Sequence, residues 1–571
     1  MAAPLAALLC APARAGTYDL GHGTSLEYQL TLNYALGLRL KNQSDALING
    51  PVDPGTGLPT TVNGDDGDRN FKTGSLINNR LSSFGQLLLS TPHYGIEVSG
   101  DAFYDQVYHH PNDNDSPATI NKSGSNTRFS DDARYINGAR ARWLDAYAYG
   151  NWTLGQGVML DLRAGRQVVA WGESLFFAGV AASQGPDDAT KAFVPGAEIK
   201  DILLPSNQVS ARLAFDRFTL LGYYKLQYKA SELFPVGDYF STSDGVGPGA
   251  EFLYEAQNPL YASFGAVIPG TPPDLVMRRG PDLKPSDFGQ WGLGLKYDLT
   301  RITSVGLYYL RYSDANPSLQ FNIGPVPLTG PLAPLPPPVA AGIRAAFAAQ
   351  GITIPASADQ TGITTSTLGL QVPASYNQLY YDGIHLYGSS LSTVIGHVQV
   401  SGELNYRDGT PLLLKGVSAF SRGKVSQALL SGIYTLKPSR YWDDVSFAGE
   451  VGYTHVHGVA PVQGVEQLAD TRNTWGYEAV VTVDYYRVLP GVDLAVPMSF
   501  AAIAKGMPAQ GGAFGSLAGE GDQRASIGCT FSYLQRLQAG FAYNAFLGRP
   551  SLAQHPYADR DYLSFNLKYD F

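Results

Sequence analysis

Charged residues recur on the polar side of segments in which polar and apolar residues alternate. Arg163, Lys225, Lys229, Lys296, Glu403, Glu478 and Asp484 all stand there, and the residues directly beside them are Leu, Val, Tyr, Ala and, once, Gly. On a closed sheet such residues would line a water-filled lumen, where charge sorts solutes. Their signs are mixed, unlike a lumen committed to anions or to cations. The plainer reading is that they keep the lumen wet. A second group sits in the most irregular stretch, residues 165–205. It comprises Arg166, Trp171, Glu173, Glu198, Lys200 and Asp201. If this stretch folds inward, these residues meet the lumen charges at a constriction. If it folds outward, it caps the rim.

Other chemistry is weaker. Asn63, Asp65, Asp66 and Asp68 offer the oxygen donors of a Ca²⁺ site. They lack the spacing and closing Glu of an EF-hand loop, so a solvated turn is the favoured reading. His455 and His457 form an H-x-H on a strand and point the same way, continuing the face of Phe447, Val451 and Tyr453. That places them at the outer rim, facing lipid headgroups, where a metal site is the lesser reading. His109 and His110 say little. The chain has no G-x-S-x-G elbow, P-loop, H-E-x-x-H or paired-cysteine motif. No cofactor, metal or catalytic set is expected, although a barrel hydrolase with scattered active residues would escape such a search.

The elements that must position these residues are strands. In residues 563–571 the odd positions are Leu563, Phe565, Leu567, Tyr569 and Phe571, and the even ones are Ser564, Asn566, Lys568 and Asp570. This period of two gives one face to an apolar medium and one to water. Residues 26–40 mirror it, with Leu26, Tyr28, Leu30, Leu32, Tyr34, Leu36, Leu38 and Leu40 on one face. A terminal strand exposes an edge unless something closes over it. Pairing the last strand with the first closes the sheet, and a closed sheet is the only β structure that spans a bilayer. The alternation returns at residues 158–164, 218–229, 291–299, 398–406 and 475–485. Short connections fall near residues 91–95, 155–157, 216–217, 300–303, 393–396, 438–441, 489–492 and 535–536, with long polar or Pro/Gly-rich loops between them. The expectation is an all-β transmembrane antiparallel barrel of about 18 strands, with 16 as the alternative count. It has a short lumen-directed segment and long extracellular loops.

Composition agrees. Of 571 residues 16% are charged and 44% hydrophobic, with 64 Gly and 35 Tyr; soluble domains carry about 25% charge. No apolar run reaches the roughly 18 residues of a spanning helix. A net charge of −9 argues against a nucleic-acid partner and suits contact with lipopolysaccharide through bridging cations. Residues 1–15 end in Ala13-Arg14-Ala15 and read as a secretory signal whose basic start is missing. Residues 16–571 then form one barrel domain, in which Cys529 is the only cysteine.

Two blocks are distinctive: GRQVVAWGES at residues 165–174 and PGAEIKDILLPSNQVS at residues 195–210. With VGDYFSTSD at residues 236–244, DFGQWG at 287–292 and DDGDRNF at 65–71, the chain resembles a family of proteobacterial outer-membrane proteins catalogued as a domain of unknown function. The resemblance implies an outer-membrane barrel on an envelope pathway for lipids or hydrophobic compounds. Its implied partners are outer-membrane lipid, a periplasmic lipid-carrier-like protein and a resistance-nodulation-division type transporter. It assigns no catalytic residue. Pro195 and Glu198 suit the first turn of a short helix carrying Ile199, Ile202 and Leu203 on one face. The loop at residues 231–285 carries Phe234, Tyr239, Phe240, Phe252, Tyr254 and Tyr261. The loop at residues 313–375 carries a Pro run and a helical face of Val339, Ile343 and Phe347. Such loops either capture a greasy ligand or pack together as a lid. The expected function is transport of lipids or other hydrophobic compounds, with a porin-like channel for small polar solutes as the alternative.

Overall fold

The computed structural model describes residues 16–52, 58–155, 157–198, 202–257, 274–324, 341, 345, 348, 372–417 and 419–571. The signal-like stretch 1–15, Lys200, Asp201 and the helical face at Val339 lie outside them. No helix among the described residues is long and apolar enough to cross a membrane.

The chain opens with β1 (Gly16–Gly21) and β2 (Thr24–Arg39), followed by β3 (Leu76–Ser90), β4 (Tyr94–Asp105), β5 (Ala139–Thr153) and β6 (Met159–Gln167). Next come β7 (Ser206–Phe215), β8 (Phe218–Lys225), β9 (Phe252–Gln257), β10 (Asp274–Arg279), β11 (Trp291–Asp298) and β12 (Ser304–Tyr312). They are followed by β13 (Ser318–Gly324), β14 (Val372–Leu379), β15 (Ile384–Ile395), β16 (Val398–Leu414), β17 (Ala419–Leu436) and β18 (Asp444–Val459). The last are β19 (Asn473–Leu489), β20 (Val492–Lys505), β21 (Gln523–Tyr533), β22 (Leu537–Leu547) and β23 (Tyr562–Asp570).

The large sheet has 19 strands and closes on itself through β2 and β23. Setting aside β1, which pairs only with β2, the ring is an 18-stranded antiparallel barrel. Its closing rungs match apolar with apolar: Leu563 faces Leu38, Phe565 faces Leu36, Leu567 faces Tyr34 and Tyr569 faces Leu32. The Phe571 N–H donates to Leu30 O at 2.9 Å, so the chain end itself completes the seal.

Alternation sorts the side chains. Thr31, Asn33, Ala35 and Arg39 of β2 are buried inside, as are Glu403, Asn405 and Arg407 of β16. Leu404 is 61% exposed and Leu430 60%, on the outer face that meets lipid. All eight short connections expected from the sequence join successive strands at one end, from residues 91–93 to residues 534–536. The long loops leave the other end, except residues 415–418 between β16 and β17, which are as brief as a turn. With short turns periplasmic, the long loops are extracellular. β8 stops at Lys225, so Lys229, read as part of that strand, hangs from the loop beyond it. A second sheet, ordered β13-β14-β10-β9 with β10 and β14 parallel, is built from the two longest loops.

Leu404→Arg tests the lipid-facing assignment. A residue this exposed would tolerate the change in water, whereas at the bilayer midplane it costs about 2–4 kcal/mol. We expect that loss in reversible denaturant unfolding from liposomes. No loss would place this face in water.

Candidate functional site

The lumen is crossed by the described residues 168–198 and 202–205, which lie between β6 and β7. The first contact is aromatic: the Trp171 ring sits 5.1 Å from that of Tyr223 and 6.3 Å from that of Tyr308. The Trp171 N–H donates to Gln184 Oε1 and the Gln184 amide donates back to Trp171 O, both at 3.2 Å. This loop within the loop fixes its own backbone.

Two barrel carboxylates then hold the segment. Glu403 of β16 accepts the N–H groups of Glu173 at 3.0 Å and Val180 at 2.6 Å. Glu450 of β18 accepts those of Leu175 at 3.0 Å, Phe176 at 2.8 Å and Phe177 at 2.7 Å. Arg407 donates to Gly179 O at 2.9 Å. Gly172 and Gly179 are required here, because a β carbon on either would collide with the Glu403 carboxylate. Five backbone donors on two buried carboxylates form charge-assisted bonds where neither side has water as a substitute.

The rest of the segment meets the opposite wall. Lys191 pairs with Asp101 of β4 at 3.0 Å, and Asp188 with Arg142 of β5 at 2.7 Å. Asn33 of β2 donates to Pro195 O at 3.0 Å, and Lys568 of β23 pairs with Glu198. The segment therefore touches walls from β2 round to β18. Beside β2–β4 the space left is a cavity of about 40 Å³ lined by Arg80, Lys191, Gly196 and Lys568.

The sequence-derived residues fall out as follows. Trp171, Glu173 and Glu198 lie inside; Glu173 meets Lys296 at 3.2 Å. Arg166 has Arg142, Asp145 and Glu232 as its charged neighbours, and Arg163 lies over the Tyr147 ring. Lys225 is buried at the end of β8, while Lys229 donates to Pro205 O at 3.1 Å. Glu478 faces Glu450, and Asp484 faces Asp444 near the periplasmic end. Gly196 takes φ +78° and turns the chain; the helix expected beyond it falls largely on residues 199–201, outside the described residues, and Ile202 after them is helical. Glu450, Arg407, Asp101 and Lys568 were not singled out. Lys568 and Glu450 carried the right signal, since both occupy polar positions opposite the apolar faces already read.

Above the segment the mouth is sealed by a lid. Phe71, Tyr108, Phe129, Tyr239, Phe240, Phe546 and Tyr557 form its aromatic core, and Phe193 of the lumen segment stacks on Phe240 at 4.2 Å. Tyr239 and Phe240 are thus used in packing, which settles the loop at 231–285 as lid at these positions. Asp65, Asp66 and Asp68 are buried, which corrects the solvated-turn reading. Arg39 pairs with Asp68 at 2.5 Å, and Arg69 with Asp65. Asn70 donates to Gly237 O at 2.8 Å, and Gly67 lies so close to Asp238 O and Ser241 O that no β carbon fits. Among the described residues no group of three or more His, Cys, Asp or Glu is arranged to hold a metal. Outside, His455 Nδ1 donates to Asn473 Oδ1 and His457 Nε2 shares a hydrogen bond with Ser426 Oγ, each at 2.7 Å, on the lipid-facing rim.

A closed antiparallel sheet, apolar outside and charged within, with a segment folded into its lumen, defines a porin-like channel protein of the bacterial outer membrane. The chain belongs to the family described as protein of unknown function (DUF1302), whose sequence model matches residues 1–571. No curated protein matches it in sequence. Similar solved structures include Acinetobacter baumannii OccAB1, at 9% identity over 96% of each chain with a TM-score of 0.41. A BenF-like porin from Pseudomonas fluorescens Pf-5 has 9% identity over 96% of this chain and 98% of its own, TM-score 0.40. Acinetobacter baumannii OccAB2 has 10% identity over 96% and 98%, TM-score 0.38.

Two predictions follow from this geometry. In Glu403→Gln/Glu450→Gln the five N–H groups lose their charged acceptors, each worth about 1.5–3 kcal/mol. Amides of residues 173–180 should then exchange with solvent at least about tenfold faster, since 1.4 kcal/mol is a factor of ten. Unchanged protection would mean the carboxylates do not hold the segment. The lid supplies the second. Burial raises the carboxyls of Asp65, Asp559 and Asp244, the last also through Asp66 and Asp65, and lifts Asp238 to about 6. Groups raised in the folded state stabilise it fully below the ordinary carboxylate value, and that contribution fades as pH rises through the raised values. Lid amides, corrected for intrinsic rates, should be better protected at pH 5 than at pH 8. The opposite order would refute the assignment.

Proposed function

We propose that this barrel moves lipids or other hydrophobic compounds into or across the outer membrane. The observation that carries the reading is the lumen segment held to both walls beneath a packed lid, which leaves little room for the steady water column a diffusion pore needs. A hydrophobic cargo does not need such a column; it needs a protected route and a bilayer at one end. The family resemblance to envelope lipid pathways supports the same reading. On it, the partners are outer-membrane lipid and lipopolysaccharide, a periplasmic lipid-carrier-like protein and a resistance-nodulation-division type transporter. Cargo arrives from the carrier at the periplasmic mouth. The capture step at the outer loops loses support, because the aromatic residues Tyr239 and Phe240 are packed away.

The mixed charges of the lumen favour a second reading, passage of small polar solutes once the segment moves. Conductance separates the two. In planar bilayers the intact protein should show no steady ohmic openings, and deletion of residues 171–205 should produce them. Large, steady openings from the intact chain would favour the solute channel and overturn the occluded transporter.

A further inference from the structure

One barrel ladder among the described residues is interrupted without any register shift. Between β20 and β21, Ala495 faces Thr530 and Met498 faces Ile527, yet the two rungs between them are missing. There Val496 stands opposite Cys529, and Pro497 opposite Gly528. Proline has no N–H to give a ladder, which is why it is confined to edges and bulges in ordinary sheets. On its other side β20 pairs without a break, Thr482 facing Pro497 and Val483 facing Val496. Elsewhere in the ring an irregularity is absorbed by an extra residue, as at Gly409 of β16. Here nothing takes it up, and the seam is short of bonds inside the membrane.

Both sides of this seam suit an apolar traveller. Facing the lumen are small side chains, Ala495 and Ser499 on β20 with Ser526 and Thr530 on β21, all partly open to the interior. Facing lipid is an apolar groove of about 540 Å³, floored by Gly528 and walled by Ile527, Cys529, Phe541, Phe565 and Leu36. The groove starts midway along β21 and runs across β22 and β23 to the extracellular end of β2. Phe177 and Phe514 pack on Ile503 further up β20, roughly 20 Å along the strand at about 3.4 Å per residue.

We propose that the β20–β21 seam at Pro497 is a lateral portal, through which an acyl or alkyl chain passes between the lumen and the groove in the bilayer. This rests on the transport reading above and adds its route. The axis stays closed by plug and lid while the wall supplies the exit. Opening is cheaper at this point because the one bond that a Pro497 N–H would make across the seam is absent, a bond elsewhere worth about 0.5–1.5 kcal/mol.

Cys529, the single cysteine of residues 16–571, makes the test. Directly opposed Cα atoms in an antiparallel pair lie about 4.5–5.5 Å apart, within the disulfide range. Val496→Cys can therefore be oxidised with diamide onto Cys529, stapling the seam, and released with dithiothreitol. The assay is incorporation of a pyrene-labelled phosphatidylethanolamine from cyclodextrin into proteoliposomes, above the rate of protein-free liposomes. We expect oxidation to reduce this rate at least tenfold and dithiothreitol to restore it. Leu430→Cys/Val451→Cys, a staple across an intact outward rung between β17 and β18, should leave it unchanged. Pro497→Val, which returns the missing N–H, should slow transfer without any oxidant. Full transfer through the stapled seam would overturn the portal while leaving transport standing. No protein-dependent transfer from wild type would overturn the transport reading and the portal with it.

Discussion

Everything in this molecule depends on one requirement: inside hydrocarbon, each backbone N–H and C=O must find a partner within the protein. The pairing of β2 with β23 meets it by leaving the ring no free edge. Closure then dictates the rest. A closed sheet of alternating strands puts every second side chain into lipid and every other one into an enclosed interior. The interior of 18 strands is too wide for its own side chains to fill. Either water fills it or the chain does.

Here the chain does, and the manner of filling matters. A strand ladder holds by regular backbone pairs, and losing one leaves its neighbours in place. Residues 173–180 instead hang from two side-chain carboxylates, Glu403 and Glu450. Each carboxylate serves two or three donors together, so the bonds form and fail as groups. The enclosing residues meet the cost of burying those charges with Arg407, four residues along Glu403's own strand, and with the amides themselves. The two blocks on which the family resemblance rests most firmly, residues 165–174 and 195–210, are the beginning and end of this crossing. The weaker blocks at 65–71 and 236–244 meet each other in the lid, through Asn70 and Gly237. The distinctive sequence of this chain thus lies in what closes the barrel rather than in the barrel wall.

That division explains what the sequence could and could not reveal. The wall was legible because alternation is a local signal: Leu563 to Phe571 reads the same whether or not its partner is known, and the eight tight turns punctuate the chain at the right places. The closure was legible from two matching ends. The path of residues 168–205 was not, because its bonds run to Glu403 and Glu450, more than 200 positions away, and no periodicity records them. Pro195 and Glu198 fit the first turn of a helix, and between them Gly196 makes a left-handed turn that no local preference announces. Asp65, Asp66 and Asp68 read as wet because three acids in four residues rarely bury. They are dry here because Arg39 and Arg69 arrive from the strand end and the same turn to meet them.

Plug and lid are also not independent. Phe193 belongs to the crossing segment yet stacks on Phe240 of the lid. Glu232, from a lid loop, receives Arg140 at 2.6 Å and Arg142 at 2.8 Å on the wall. Its backbone pairs with Asp187 and Ala189 of the segment. Moving the plug therefore breaks aromatic contact above, ion pairs at one wall and the carboxylate clasps at the other. These groups share partners, and their energies do not simply add. An axis closed by so many linked contacts opens as a whole or stays shut, which leaves the stretch of wall at Pro497, one backbone bond short, as the place where small motions suffice.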